Sequence, residues 1–214
     1  MDLRGRPGAN SIDEEELLSL WWYQPFVFTD DIVSGVAPQW FMKGLDKTIM
    51  KRSEYPKKFN RFWKLSNQAA RMYEDWGKAL CDLSGVDLRQ ASVFEMACAT
   101  GHLLFWLKER GARHCVGLDR ADFERQQTIL KEITRIDDVD FRKGQWSSDT
   151  HSIDGLGQNE QFDLVICTAF AMHMGDPLHV IRDMSYRTKS ALLLHNLVGY
   201  FNFGMKIRYV PGLA

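Results

Sequence analysis

Residues 93–101, VFEMACATG, run an apolar stretch into an acid, Glu95, and then into the small residues Ala97, Cys98, Ala99 and Thr100 before Gly101. Small residues at such a turn let the backbone approach a bound group, and Gly101 can take a conformation closed to larger residues. A helix opening directly behind the turn would present free N–H groups to that ligand. About twenty residues further on, Gly117-Leu118-Asp119 ends a second apolar run on a carboxylate, which at this place can accept both hydroxyls of a ribose. Glu95 is out of place in a plain buried strand, because an unpaired buried carboxylate is costly. Together these features point to an adenosine-containing cofactor. A dinucleotide normally requires G-x-G-x-x-G around its pyrophosphate, whereas this turn reads A-x-A-x-G. A cofactor with one nucleoside and a zwitterionic tail asks less of the turn, which favours S-adenosylmethionine over NAD.

Two histidines are candidate general bases, His173 and His195, since imidazole titrates near neutral pH. His102 opens a helix and reads as a structural residue or a cofactor neighbour. Cys98 reads as a small turn residue without a nucleophilic role. The alternative for His173 is a loop histidine bonded to backbone, for Asp119 a helix N-cap, and for Trp146 a core position.

The elements that position these residues alternate from residue 92 onward. SVFEMA, HCVGLD, DVDFRKGQW, QFDLVICTAF and SALLLHNL read as strands. HLLFWLKERG, ending at the C-cap candidate Gly111, ADFERQQTILKEITRI and DPLHVIRDMSYRT read as helices between them. Such alternation predicts an α/β, Rossmann-like fold with a mostly parallel sheet and helices on both faces. Ligands then bind beyond the carboxyl ends of the strands. Residues 1–90 differ in character and are expected to form an N-terminal cap segment and a long helix, with 91–214 as the cofactor-binding domain. In the first part, Ser11 is the expected N-cap of SIDEEELLSL, and WWYQPFVFTDDIVSGVAP is aromatic and extended. The residues Phe59, Phe62, Trp63, Ser66, Ala70, Tyr73, Trp76, Leu80 and Leu83 recur at threes and fours, predicting an amphipathic helix over 57–83.

QFDLVICTAFAMHMGDPLHVIRDM resembles the fourth motif of the class I S-adenosylmethionine-dependent methyltransferases through Phe162, Asp163, Leu164, Val165, Met172, His173, Asp176 and Pro177. The first motif is similar to the variant with a Cys after its first small residue, here Ala97-Cys98. The resemblance spans residues 90–198. The aromatic N-terminal segment around Tyr23 is similar to the cofactor cap of a subgroup that includes the wobble-uridine tRNA methyltransferase-like proteins. The resemblance implies that Glu95 orients the turn and contacts the methionine amino group through water, and that Ala97, Cys98, Ala99 and Gly101 line the methionine tail. It implies that Asp119, with Arg120 beside it, holds the ribose, that Gln145 and Trp146 face the adenine, and that Thr168 and Ala169 lie beneath the reactive methyl. Gln145 departs from the acid usual there, though an amide can still bond adenine. The alanines depart from the usual glycines. Elements that normally follow the fifth strand are expected to be missing or truncated, with residues 205–210 supplying at most one strand. An open parallel edge predicts a covering segment or a homodimer.

The expected function is S-adenosylmethionine-dependent methyl transfer to a small-molecule acceptor. A tRNA nucleoside is the alternative acceptor, and a non-catalytic cofactor-binding or interaction module is the alternative class. With 27 basic and 28 acidic residues the net charge is −1, so no global basic field marks a nucleic-acid binder. A locally basic stretch does lie between Lys43 and Arg71, with Tyr55, Phe59, Phe62 and Trp63 interleaved; one reading is an RNA-contact face, and the favoured one is a solvated helix face whose aromatics cap the cofactor pocket. Four dispersed cysteines without a CxxC pair read as reduced core residues, with no metal site expected. No apolar run suits a secretory leader or a membrane span, so a cytoplasmic location is expected.

Overall fold

The computed structural model describes residues 1–35, 48–147, 150 and 152–195. The acids of SIDEEELLSL begin helix α1 (Glu14–Ser19), but its N-cap is Asp13, which accepts from the N–H groups of Glu15 and Glu16 at 3.0 and 3.3 Å. Ser11, predicted for that role, lies in a 3-10 turn and donates its hydroxyl to the Gly8 carbonyl. An ionised oxygen is the stronger partner for helix-end N–H groups. The aromatic stretch supplies β1 (Phe26–Val27) and β2 (Ile32–Ser34), which pair antiparallel with β3 (Ile49–Lys51) in the order β1-β2-β3.

Helix α2 (Pro56–Ser84) overruns its predicted span by one residue at each end. Phe59, Phe62, Ser66, Ala70, Trp76 and Leu80 are buried as the spacing requires. Leu83 is not: at 57% exposure it lies past the last packed turn. Further along come α3 (His102–Glu109), α4 (Glu124–Thr134) and α5 (Pro177–Tyr186).

The chain groups into two compact units, Met1–Asp75 with Phe123–Asp137, and Trp76–Asp122 with Asp138–Ala214. This grouping divides α2 at residues 75 and 76 rather than after residue 90, and it assigns α4 to the first unit. Specific long-range contacts tie α4 to that unit. Arg125 pairs its guanidinium with Glu16, Gln126 donates to the Trp21 carbonyl at 2.8 Å, and Gly8 donates to the Ile133 carbonyl at 3.1 Å. Val27, Val33, Met50, Phe59 and Phe62 form a core of this unit, with Tyr55, Trp63 and Leu65 against it.

The second unit holds the parallel sheet. Its strands are β4 (Ser92–Met96), β5 (His114–Asp119), β6 (Val139–Lys143), β9 (Phe162–Thr168) and β10 (Thr188–His195), in the order β10-β9-β4-β5-β6. Residues 146 and 147 do not extend β6; as β7 (Trp146–Ser147) they form a small antiparallel pair with β8 (Ser152–Ile153). One face of the sheet packs Phe94, Met96, Val116 and Leu118 with Val180 and Met184 of α5. On the other, α3 lies over Gly117, where a Cβ would stand 2.6 Å from Leu104 Cδ1. Covered faces explain why β4 is buried at every residue and reads as a continuous apolar run. At the amino end, Asp163 accepts from both the N–H and the hydroxyl of Ser92 at 2.8 Å, fixing the start of β9 against the start of β4. The strand expected over residues 205–210 lies outside the described residues. Among the described residues no helix is long and apolar enough to cross a membrane.

Candidate functional site

The sheet register brings the strand ends level. Met96 is paired with Leu118 on one side and Cys167 on the other, and Thr168 is paired with His195. Ala97, Asp119, Thr168 and His195 therefore stand along one edge, at the carboxyl ends of β4, β5, β9 and β10, where a doubly wound sheet binds its ligand.

The turn after β4 is held in a conformation that its residues resist. Ala97 has φ 57° and Ala99 φ 48°, while Gly101 has φ 85°; Ala169, after β9, has φ 53°. The left-handed region costs an L-residue about 1–2 kcal/mol. Specific bonds hold it there. Ala99 N–H donates to Asp119 Oδ2 at 2.9 Å, Cys98 N–H to the Leu118 carbonyl at 3.2 Å, and Gly101 N–H to the Cys98 carbonyl at 2.8 Å. Ala169 N–H donates to the His195 carbonyl at 2.7 Å. Gly101 serves both as the N-cap of α3 and as a close-approach point, since a Cβ there would meet the Phe141 ring at 2.6 Å.

Asp119 is half-buried, and its second oxygen accepts from Ala121 N–H at 2.9 Å. A carboxylate has about four acceptor positions, so two N–H bonds leave room for two more. Glu95 differs. It is 0% exposed, and neither oxygen has a hydrogen-bond partner among the described residues. Burial, and then the neighbouring Asp119 charge, push its pKa well above the usual carboxylate range. The Cys98 thiol beside it is likewise pushed up by burial and by Glu95 and Asp119, so it forms no thiolate nucleophile.

His195 packs its ring against Trp76, with centroids 4.3 Å apart and planes at 35°. Its Nδ1 is buried without a partner among the described residues. Burial lowers its pKa and favours the neutral imidazole. His173, the other candidate base, is exposed in a 3-10 turn (Ala171–His173), where its N–H donates to the Phe170 carbonyl at 2.9 Å. The Asp176-Pro177 pair of the same motif opens α5: Asp176 caps it, accepting from His179 N–H at 3.1 Å, with proline just inside the helix.

The structure thus gathers Glu95, Ala97, Cys98, Ala99, Gly101, Asp119, Thr168, Ala169 and His195 along one edge. Trp146, expected to face an adenine, is instead a core residue. It is 6% exposed among Met96, Leu118 and Val180, and its indole N–H donates to Asp183 at 2.6 Å. A large ring with its donor satisfied internally gains most from burial. Gln145 precedes it in an exposed connection, where its carbonyl accepts from Asp154 N–H at 2.9 Å, and Arg120 is exposed after β5. Tyr23 belongs to the first compact unit and is half exposed. Two contributors carried no functional signal in the sequence. Trp76 sits on the apolar stripe of α2 and reads as core, and Phe141 reads as a strand residue, yet it fills the space that Gly101 and Gly117 leave open.

The family described as methyltransferase domain matches residues 68–199. No curated protein sequence matches the chain. Among solved structures, YcgJ from Bacillus subtilis is similar at 15% identity and a TM-score of 0.45, over 56% of this chain and 49% of its own. Magnesium protoporphyrin IX methyltransferase from Synechocystis, solved with bound S-adenosylmethionine, is similar at 18% identity and a TM-score of 0.47, over 60% of this chain and 58% of its own. The chain therefore spans roughly half the length of these structures.

Proposed function

From the premise that the chain belongs to the methyltransferase-domain family, we propose that it transfers the methyl group of S-adenosylmethionine to a small-molecule acceptor. The observation that carries this reading is the union of the β4 turn with Asp119 through the Ala99 hydrogen bond, beside a buried Glu95 that has no hydrogen-bond partner among the described residues. The residues fit such a cofactor. The spare acceptor positions of Asp119 suit two ribose hydroxyls. The carboxyl of Glu95 suits a positively charged amino group, which would relieve its desolvation. The turn, with left-handed Ala97 and Ala99, lacks the glycine pattern that a pyrophosphate requires, and an amino-acid tail does not need that pattern.

When bound, S-adenosylmethionine supplies an electrophilic methyl group on a sulfonium. The chain's contribution is alignment, exclusion of water and, for an acceptor that must lose a proton, a base. His195 suits that last role better than His173: it is half-buried at the strand edge, backed by Trp76, and its lowered pKa keeps it ready to accept a proton at neutral pH. The aromatic Trp76–His195 pair beside Ala169 supports a small acceptor; a tRNA nucleoside is the alternative.

Calorimetry of the full chain with S-adenosylmethionine, S-adenosylhomocysteine and NAD tests the reading. Binding of the two adenosyl ligands but not NAD is the expected result. Failure of both to bind, with Asp119→Ala indistinguishable from wild type, overturns it. Binding without methyl transfer to any component of a small-molecule extract or to bulk tRNA would favour a non-catalytic module.

A further inference from the structure

Helix α2 begins with a stretch of one charge sign. From Pro56 to Tyr73 it carries Lys57, Lys58, Arg61, Lys64 and Arg71 and no acid, in a chain whose net charge is −1. At about 3.6 residues per turn, Lys57, Arg61, Lys64, Gln68 and Arg71 fall along one side of the helix. All five are exposed. The neighbouring cations are neutralised, Lys51 by Glu14 and Arg52 by Asp31, whereas Lys57, Lys58, Lys64 and Arg71 have no ion pair among the described residues.

This arrangement costs the helix stability. Like charges three and four residues apart repel, by a few tenths of a kcal/mol per pair. Lys57 and Lys58 also occupy the first turn, where the helix dipole favours acids. An ordinary solvated face interleaves both signs and avoids these costs.

We propose that this stripe binds the phosphate backbone of a nucleic acid. Three features select that partner. The apolar side of the same helix is already spent inside the first unit, where Phe59 and Phe62 are fully buried, so the helix has no free face to lay into a lipid surface. The stripe exposes no apolar residue until Met72, so a protein partner would find no apolar centre to bury. The cations run in a line of about 21 Å from Lys57 to Arg71, which suits a linear polyanion. Because those aromatics are in the core, the contact is to phosphates rather than stacked bases and carries no sequence preference. The stripe holds no group of the proposed methyl-transfer site, so the inference stands independently of that reading.

Fluorescence anisotropy of the full chain with a fluorescein-labelled poly(U) oligonucleotide tests it. With about four phosphates neutralised, affinity should fall about 50-fold between 50 and 200 mM salt. In the Lys57→Ala/Lys64→Ala/Arg71→Ala triple variant, binding should weaken and the same salt step should cost only about threefold. The triple variant's thermal melt serves as the folding control, and relief of like-charge repulsion should leave it no less stable than wild type. The inference is overturned if the oligonucleotide does not bind at low salt, if the variant binds as wild type does, or if phosphatidylserine vesicles bind and the oligonucleotide does not.

Discussion

The backbone N–H of Ala99 donates to Asp119 Oδ2 at 2.9 Å, so the end of β5 clamps the turn that follows β4. Ala99 is left-handed at φ 48°, and the same carboxylate that suits a ribose also holds the strained turn in place. Removing the side chain therefore has two effects. Asp119→Ala should weaken binding of S-adenosylhomocysteine about ten- to a hundredfold by calorimetry, the range for losing charge-assisted hydrogen bonds. Asp119→Asn, which can still accept from Ala99, should lose less; equal losses in the two variants would refute the clamp.

Glu95 should make the fold less stable as the medium becomes alkaline. Its pKa is raised in the folded state, first by burial and then by Asp119, so the folded protein holds this proton more tightly than the unfolded chain. The contribution is fully present below the unfolded pKa and is lost as pH rises toward the folded value. Glu95→Gln keeps the shape of the neutral acid and cannot ionise. Thermal melts from pH 5 to pH 9 should show the variant gaining on wild type as pH rises, by about 2–4 °C for each kcal/mol. A constant difference across that range would exclude this account.

The strained alanines should yield stability when relaxed. Ala97→Gly with Ala99→Gly removes two left-handed methyl groups and adds freedom to the unfolded chain. The net gain should be about 1 kcal/mol for the pair, read as a melting temperature about 2–4 °C higher. A lower melting temperature would mean that the methyl groups contribute packing exceeding their strain.

Gly117 is a packing glycine rather than a turn glycine. A Cβ there would stand 2.6 Å from Leu104 Cδ1 and 2.8 Å from Cys98 Sγ. Gly117→Ala should cost about 1–3 kcal/mol by overpacking. Combined with Leu104→Ala, the loss measured by urea unfolding should be smaller than the sum of the single losses, because the added methyl enters the space that the leucine vacates. Simple additivity would place the strain elsewhere.

If His195 is the base, the acid limb of log kcat against pH should lie below the ordinary histidine value near 6.5, since burial lowers its pKa. Trp76→Leu should move that limb by changing the ring that shields the imidazole, whereas His173→Ala should leave it in place. A limb that persists in His195→Ala would assign the proton elsewhere.

The alternation of apolar runs and amphipathic stretches was legible because the sheet is parallel and covered on both faces; β4, β5, β9 and β10 have the expected order and near the expected bounds. The placement of Asp119 beside the β4 turn was legible because it follows from the spacing of two strand ends along the chain, and the Ala99 bond joins them. Trp146 was not, because a tryptophan after a strand has the same sequence appearance facing a ligand or facing the core, and only its bond to Asp183 decides. The same holds for α4, whose place in the first unit rests on Arg125 and Gln126 reaching Glu16 and Trp21 about a hundred residues back. Strand β3 is three residues long, too short for any period to register.

The strand order β10-β9-β4-β5-β6 also sets a sequence of events during synthesis. The central strand, β4, is translated before either of its neighbours, and β5 and β6 can join it on one side as they emerge. Its other side must wait for β9, about 66 residues later, which at ribosomal rates is a delay of roughly 3 to 13 s. Through that interval the nascent chain carries an open apolar parallel edge, and the contacts from Asp163 to Ser92 form only once β9 has emerged. The feature that centres the site in the finished sheet thus makes its completion a late step, and a chaperone that shields β4 until β9 emerges should raise the yield of folded protein.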